Sequence, residues 1–149
     1  MALGVTALEA WRFHRPDSLL FVTPPAISLA DAITRDDVHR AYEFIRAGQD
    51  PNALVTVHDP TLTGGRSVRV SPLVWAAATG ADRSLQMLLG FGARLDGRTA
   101  RQARCLAEQL EHHGVAREFQ RREGNPVAEP CPPSREHRGA PLEAIAEPE

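Results

Sequence analysis

Few places in this chain could do chemistry. His112-His113 follows Glu108 and Glu111, and Glu108 with His112 makes an i,i+4 pair if the segment is helical. Such a pair could hold two corners of a zinc site. A third and a fourth ligand are not at hand, and adjacent histidines point to different sides of a helix, so a solvated helix end is the favoured reading. Gly64-Gly65-Arg66 resembles a phosphate cradle only superficially. No strand–Gly-x-x-x-x-Gly-Lys–helix context surrounds it and the chain has no Lys, which leaves a hairpin turn. His58-Asp59 could titrate or bind a metal, and exposure of two polar residues accounts for it equally. Ser28 and Ser71 stand where helix caps belong. Asp36-Asp37 sits at a helix junction, where carboxylates favour the N-terminal dipole. No Cys–His or Ser–His–Asp set falls on convergent elements. Catalytic residues, metal ligands and cofactor sites are therefore all assigned as none, and a non-enzymatic protein is expected.

Composition narrows the classes further. The chain has 149 residues, one domain's worth, of which 34 are Leu, Ile, Val or Phe. That is a modest core. All 17 basic residues are Arg, which excludes lysine Schiff-base chemistry, and the net charge of −2 lacks the basic signature of a dedicated nucleic-acid binder. Cys105 and Cys131 lack a C-x-x-C arrangement and read as two free thiols in a reducing compartment. Glu9, Arg12, His14, Arg15 and Asp17 interrupt any N-terminal apolar run, so neither a secretory signal nor a membrane span is expected. A cytoplasmic, monomeric protein follows as the expectation.

Three regions emerge along the chain. Residues 1–27 read as a short helix capped by Thr6 and Glu9, with Leu3, Ala7, Leu8 and Trp11 on one side, and then a strap through Pro24-Pro25. From Asn125 onward lie six of the twelve prolines, so 124–149 reads as a disordered Pro-rich tail. Between them, Ser28 caps a helix with Leu29, Ala32 and Ile33 on one face. Asp36-Asp37 interrupts it, and Val38, Ala41, Tyr42 and Ile45 form the inner stripe of a second helix that stops at Gly48. The arrangement returns: Ser71-Pro72 opens a helix carrying Leu73, Ala76 and Ala77, Gly80 breaks it, and Leu85, Leu88 and Leu89 line a second helix ending at Gly90-Phe91-Gly92-Ala93. Between the two, Val55 and Val57 precede Gly64-Gly65, and Val68 and Val70 follow it, the alternation of a β-hairpin.

Such self-similarity signals a repeat. Ser71-Pro72-Leu73-Val74-Trp75-Ala76-Ala77-Ala78-Thr79-Gly80 resembles the ankyrin repeat signature Thr-Pro-Leu-His-x-Ala-Ala-x-x-Gly, with Val74 in place of His. Leu88-Leu89-Gly90-Phe91-Gly92-Ala93 is similar to the family's ending, as is Gly48-Gln49-Asp50-Pro51-Asn52-Ala53. A degenerate third unit runs from Cys105 to Phe119, with Arg104 where Leu belongs. The 44 residues from Gly48 to Gly92 exceed a repeat of roughly 33, so the segment between the units is an enlarged finger.

The resemblance, to a short bacterial-type ankyrin repeat protein, implies an all-α helix–turn–helix solenoid over 28–123. Its units would be 28–53, 71–95 and a degenerate 96–120, with a β-finger insertion at 54–70. It also implies a scaffold that binds another protein through its concave face and finger, at Thr34, Arg35, Arg66, Arg69, Val70, Val74, Ala78 and Thr79. Nucleic acid and stable membrane insertion are not expected. An alternative is a regulatory or docking subunit that attaches to a larger assembly or membrane surface through Trp11 and Leu19-Leu20-Phe21-Val22.

Overall fold

The computed structural model describes residues 24–123, 130–131, 140–142 and 145–146. Six helices and one two-stranded sheet form in these residues. They are α1 (Leu29–Thr34), α2 (Val38–Arg46), β1 (Val55–His58), β2 (Ser67–Val70), α3 (Pro72–Thr79), α4 (Asp82–Gly90), α5 (Gly97–Gln109) and α6 (His113–Glu123). The helices come as three pairs, with α3 packed against α1, α4, α5 and α6.

Local chemistry starts and stops these helices. The Ser28 hydroxyl accepts the Asp31 N–H, Asp37 accepts from Arg40, and Ser71 accepts from Val74 with Pro72 in the first turn of α3. Each cap satisfies an amide that has no partner within its helix. Left-handed residues then join the members of each pair: Asp36 at φ 48°, Gly80 at φ 70° and Glu111 at φ 62°. At Gly80 the backbone angle is reinforced by space, because a Cβ there would lie 2.6 Å from Nδ1 of His112.

The strands form an antiparallel ribbon in which Val55 pairs with Val70 and Val57 with Val68. All four valines are buried, while Thr56, His58, Ser67 and Arg69 face outward, the period of two that the alternation predicts. The connection is longer than a Gly-Gly turn. The Asp59 carboxylate accepts the amides of Thr61 and Leu62 at 2.8 and 2.7 Å, and Gly64 and Gly65 both adopt positive φ.

Two expectations need correction here. The molecule is not an all-α ankyrin-type solenoid: six helices combine with an antiparallel sheet in a mixed α/β arrangement. Helical periodicity predicts how each segment folds on itself. It carries no information on whether a β ribbon seals the core, and the buried faces of all four valines make this ribbon part of it. The tail also departs from the reading of 124–149 as wholly outside the fold. Cys131 is disulfide-bonded to Cys105 of α5, and Leu142 is fully buried with its amide donating to the Leu62 carbonyl at 3.1 Å. The expected N-terminal helix lies in 1–23, outside the described residues.

The disulfide closes a loop spanning 26 residues in sequence, which the chain-entropy estimate values at about 3 kcal/mol. Cys131→Ser should therefore lower the free energy of unfolding by ~3 kcal/mol in denaturant titration, and the folded wild type should yield no reactive thiol. Gly80→Val should destabilise by more than ~1 kcal/mol, because the substitution must relieve both a positive φ and the His112 contact. An unchanged melting temperature would remove the tight-turn account.

Candidate functional site

The eight residues singled out as a binding face do not form one surface. Val70, Val74 and Ala78 are 2%, 1% and 2% exposed, so they belong to the core. An inner helix with one open side would leave Val74 and Ala78 to solvent. Here α3 is buried at every position from Pro72 to Ala78. Thr34 and Thr79 also serve the fold. The Trp75 indole N–H donates to Thr34 Oγ1 at 3.0 Å and to Ala30 O at 3.2 Å, while Thr79 Oγ1 donates to Trp75 O at 2.9 Å. Arg35 reaches Asp31 Oδ1 at 2.9 Å and the Pro24 carbonyl at 2.6 Å, tying the strap to α1. Arg66 and Arg69 remain exposed on the ribbon side, Arg69 directly across from Thr56.

Other residues with chemical potential are also claimed by structure. His112 Nε2 lies 3.2 Å from the Ala78 carbonyl, so that nitrogen carries the hydrogen. Glu108 accepts from the buried Arg104 at 2.8 Å. Among the described residues no three His, Cys, Asp or Glu side chains come together as metal ligands. The reading of Cys105 and Cys131 as free thiols is overturned by their bond to each other, and with it goes the argument from free thiols for a reducing compartment. No described helix is long and apolar enough to cross a membrane. Trp11 and Leu19-Leu20-Phe21-Val22 lie outside the described residues.

One cavity of about 330 Å³ opens between the α4–α5 connection, α5 and α6, floored by Leu73, Leu89 and Phe119 with Arg94 and Arg122 at its edge. Its lining can shelter an apolar group beside a guanidinium. No carboxylate, imidazole or thiol is among its lining residues.

The residues that the sequence reading missed are on α2 and at the end of α4. Tyr42 and Phe91 are 40% and 41% exposed, with ring centroids 5.6 Å apart in an edge-to-face arrangement. The Arg46 guanidinium lies 5.8 Å from the Tyr42 ring centroid. The apolar spacing predicts Tyr42 on the inner stripe of its helix, whereas Ala41 and Ile45 are the residues buried there. Helical phase gave only a weak signal: Tyr42 lies about 100° from Ala41 but only about 60° from Ile45.

The aromatic pair bridges α2 and α4, whose relative position is set by a carboxylate. Asp36 Oδ1 accepts from the Ser84 amide at 2.8 Å and from its hydroxyl at 2.9 Å, and Oδ2 accepts from Arg83 Nε at 3.1 Å. Burial alone would raise the Asp36 pKa. The Ser84 amide and hydroxyl, with Arg83, outweigh it and hold the carboxyl below its ordinary value. A second link joins the loops, where Asn52 Oδ1 accepts the Arg94 amide at 2.8 Å.

Comparison with known proteins returns no matching family model, no matching curated protein and no matching solved structure. The ankyrin-like motifs thus rest on their own residues.

Asp36→Ala should destabilise by about 1 kcal/mol at neutral pH, the usual effect of losing a carboxylate cap. The folded state holds the Asp36 charge to lower pH than the unfolded chain does. Its stabilisation is therefore complete above about pH 4 and is lost as pH falls through the folded pKa. The stability difference between wild type and Asp36→Ala, followed by denaturant titration across this range, should shrink with acidification. A difference that grows on acidification would contradict the assignment.

Proposed function

We propose that the protein is a non-enzymatic module that binds another protein, and that the Tyr42–Phe91–Arg46 cluster is its anchor. The exposed aromatic pair is the observation that carries the reading. Among the described residues Ile27, Tyr42 and Phe91 are the exposed large apolar side chains, and the two rings stand together at the surface with a guanidinium against one of them. Tyr and Arg are enriched among the few residues that dominate protein–protein affinity, and aromatic rings lose little conformational freedom when covered. Arg69, on the outer face of the ribbon, supplies charge of the kind that acts mainly on association rate.

The test uses the immobilised full chain to capture partners, with quantification by mass spectrometry. Tyr42→Ala/Phe91→Ala should reduce capture of a specific partner by roughly 30-fold or more in affinity, the effect of losing an anchor worth ~2 kcal/mol. Its melting temperature should move little, because both rings are already partly in water. Leu88→Ala is the matched control. It lies fully inside the core and should lower stability by ~2–5 kcal/mol while changing capture only through unfolding. Identical partner sets for wild type and the double variant would overturn the assignment of the cluster.

A further inference from the structure

We infer that the cavity between the α4–α5 connection, α5 and α6 is a binding site for a small alkyl carboxylate. Its chain lies over Leu73, Leu89 and Phe119, and its carboxylate is met by the guanidiniums of Arg94 and Arg122. This goes beyond the reading of the protein as a binding module and shares no residue with the aromatic cluster.

Small residues leave the space. Ala93 lies in the connection to α5, and Gly97 and Ala100 belong to the first turn of that helix, so this wall carries no bulk. The φ of Gly97 is not positive, and a Cβ built on it would meet no atom within 4 Å. Neither backbone angle nor crowding therefore requires glycine, a weak helix former, and its effect is to leave the cavity open. Leu89 and Leu95 are only partly buried, so part of the apolar lining stays in contact with water until a ligand covers it.

Volume sets the size of the occupant. The cavity of about 330 Å³ is at the lower end of the roughly 300–1,000 Å³ typical of small-molecule sites. At about 30 Å³ for each water-sized group, it holds on the order of ten non-hydrogen atoms, the size of octanoate. A folded peptide segment is larger than that, so the fit is to a small acid.

Charge at the edge selects an anion. The Arg94 backbone is fixed by its amide, which donates to Asn52 Oδ1 at 2.8 Å, while among the described residues no carboxylate pairs with its guanidinium. Asp96 and Glu118 stand next in sequence to lining residues and are committed to other bonds. Asp96 caps α5, accepting the amides of Arg98 and Thr99 at 3.0 Å and the Thr99 hydroxyl at 2.6 Å. Glu118 accepts from Arg121 Nη1 and from Arg122 Nε, each at 3.1 Å. The second of these pairs uses only Nε of Arg122, so its two Nη groups keep donors for another carboxylate. A guanidinium matches a carboxylate in plane and with paired hydrogen bonds, whereas an alcohol offers it no charge and an ammonium repels it.

The experiment titrates the full chain with butanoate, hexanoate, octanoate and hexanol, and follows backbone amide signals by NMR. Shifts should centre on Leu95, Gly97, Ala100 and Phe119, and octanoate should bind with a Kd of about 1 mM or tighter, an ordinary efficiency for a ligand of its size. Each buried methylene is worth about fourfold in affinity, so hexanoate should bind roughly 15-fold more tightly than butanoate. Arg94→Gln changes an exposed side chain and should leave the fold intact. It should weaken hexanoate by about tenfold and leave hexanol within about twofold of its wild-type affinity. Ala100→Phe, which fills the cavity, should abolish binding of every member of the series without lowering the melting temperature. Octanoate at about 10 mM that shifts none of these amides, or shifts centred elsewhere, overturns the proposal. So does an equal loss of hexanoate and hexanol in Arg94→Gln, because the guanidinium would then not be reading the carboxylate. Should Ala100→Phe fail to fold, the chain-length series and Arg94→Gln decide the matter.

Discussion

Burial of α3 on every side is the constraint from which the rest of the structure follows. A helix enclosed in this way cannot leave a polar group unmatched, since an unpaired buried donor forfeits on the order of 1–3 kcal/mol. Trp75 carries the polar atom most exposed to that penalty, and its indole N–H finds the Ala30 carbonyl and the Thr34 hydroxyl on α1. The small side chains of Ala76, Ala77 and Ala78 leave room for close neighbours, and the Ser71 cap and left-handed Gly80 bound the helix at its two ends. The placement of α1, α4, α5 and α6 around α3 is how that enclosure is achieved.

Apolar burial supplies most of the driving force but little direction. Direction comes from a short series of polar links between successive helix pairs. Asp36 holds the start of α4 through Ser84 and Arg83, Asn52 holds the Arg94 amide in the next loop, and His112 meets the Ala78 carbonyl from the third pair. Each pairs a side chain of one unit with the backbone of its neighbour, so a slip between units would break bonds with fixed geometry. Asp36 shows how economical this is. One residue supplies the left-handed link between α1 and α2 and the acceptor for the α4 amide.

The same enclosure decides which side chains stay accessible among the described residues. Val70, Val74 and Ala78 serve the core, and Thr34, Arg35 and Thr79 are bound into local hydrogen-bond networks. The free surface is therefore displaced toward the outer helices, where Tyr42, Phe91 and Arg46 gather, and toward the outer face of the ribbon. A carboxylate link 48 residues apart in sequence, from Asp36 to Ser84, is what aligns the two helices carrying the aromatic pair.

Sequence alone determined the features that depend on a few neighbouring residues. Ser28, Asp37 and Ser71 cap the helices as their positions predict, Gly80 takes the left-handed conformation, and the alternating valines of 55–57 and 68–70 pair as a hairpin. These are legible because a cap, a turn or a strand face is set by interactions across one to four residues, or by a period of two. Tertiary structure alone decided the mixed class of the fold, the bond between Cys105 and Cys131, the burial of Leu142, and the exposure of Tyr42 with Phe91. Each of those joins residues tens of positions apart. Composition made Pro-rich 124–149 read as unfolded, yet Leu142 of this segment is fully buried in the core cluster with Ile145 packed against it. A periodic stripe says which side of a helix is apolar. It cannot say how much of the remaining surface the rest of the chain will come to cover, because that depends on packing over distances the local pattern does not contain.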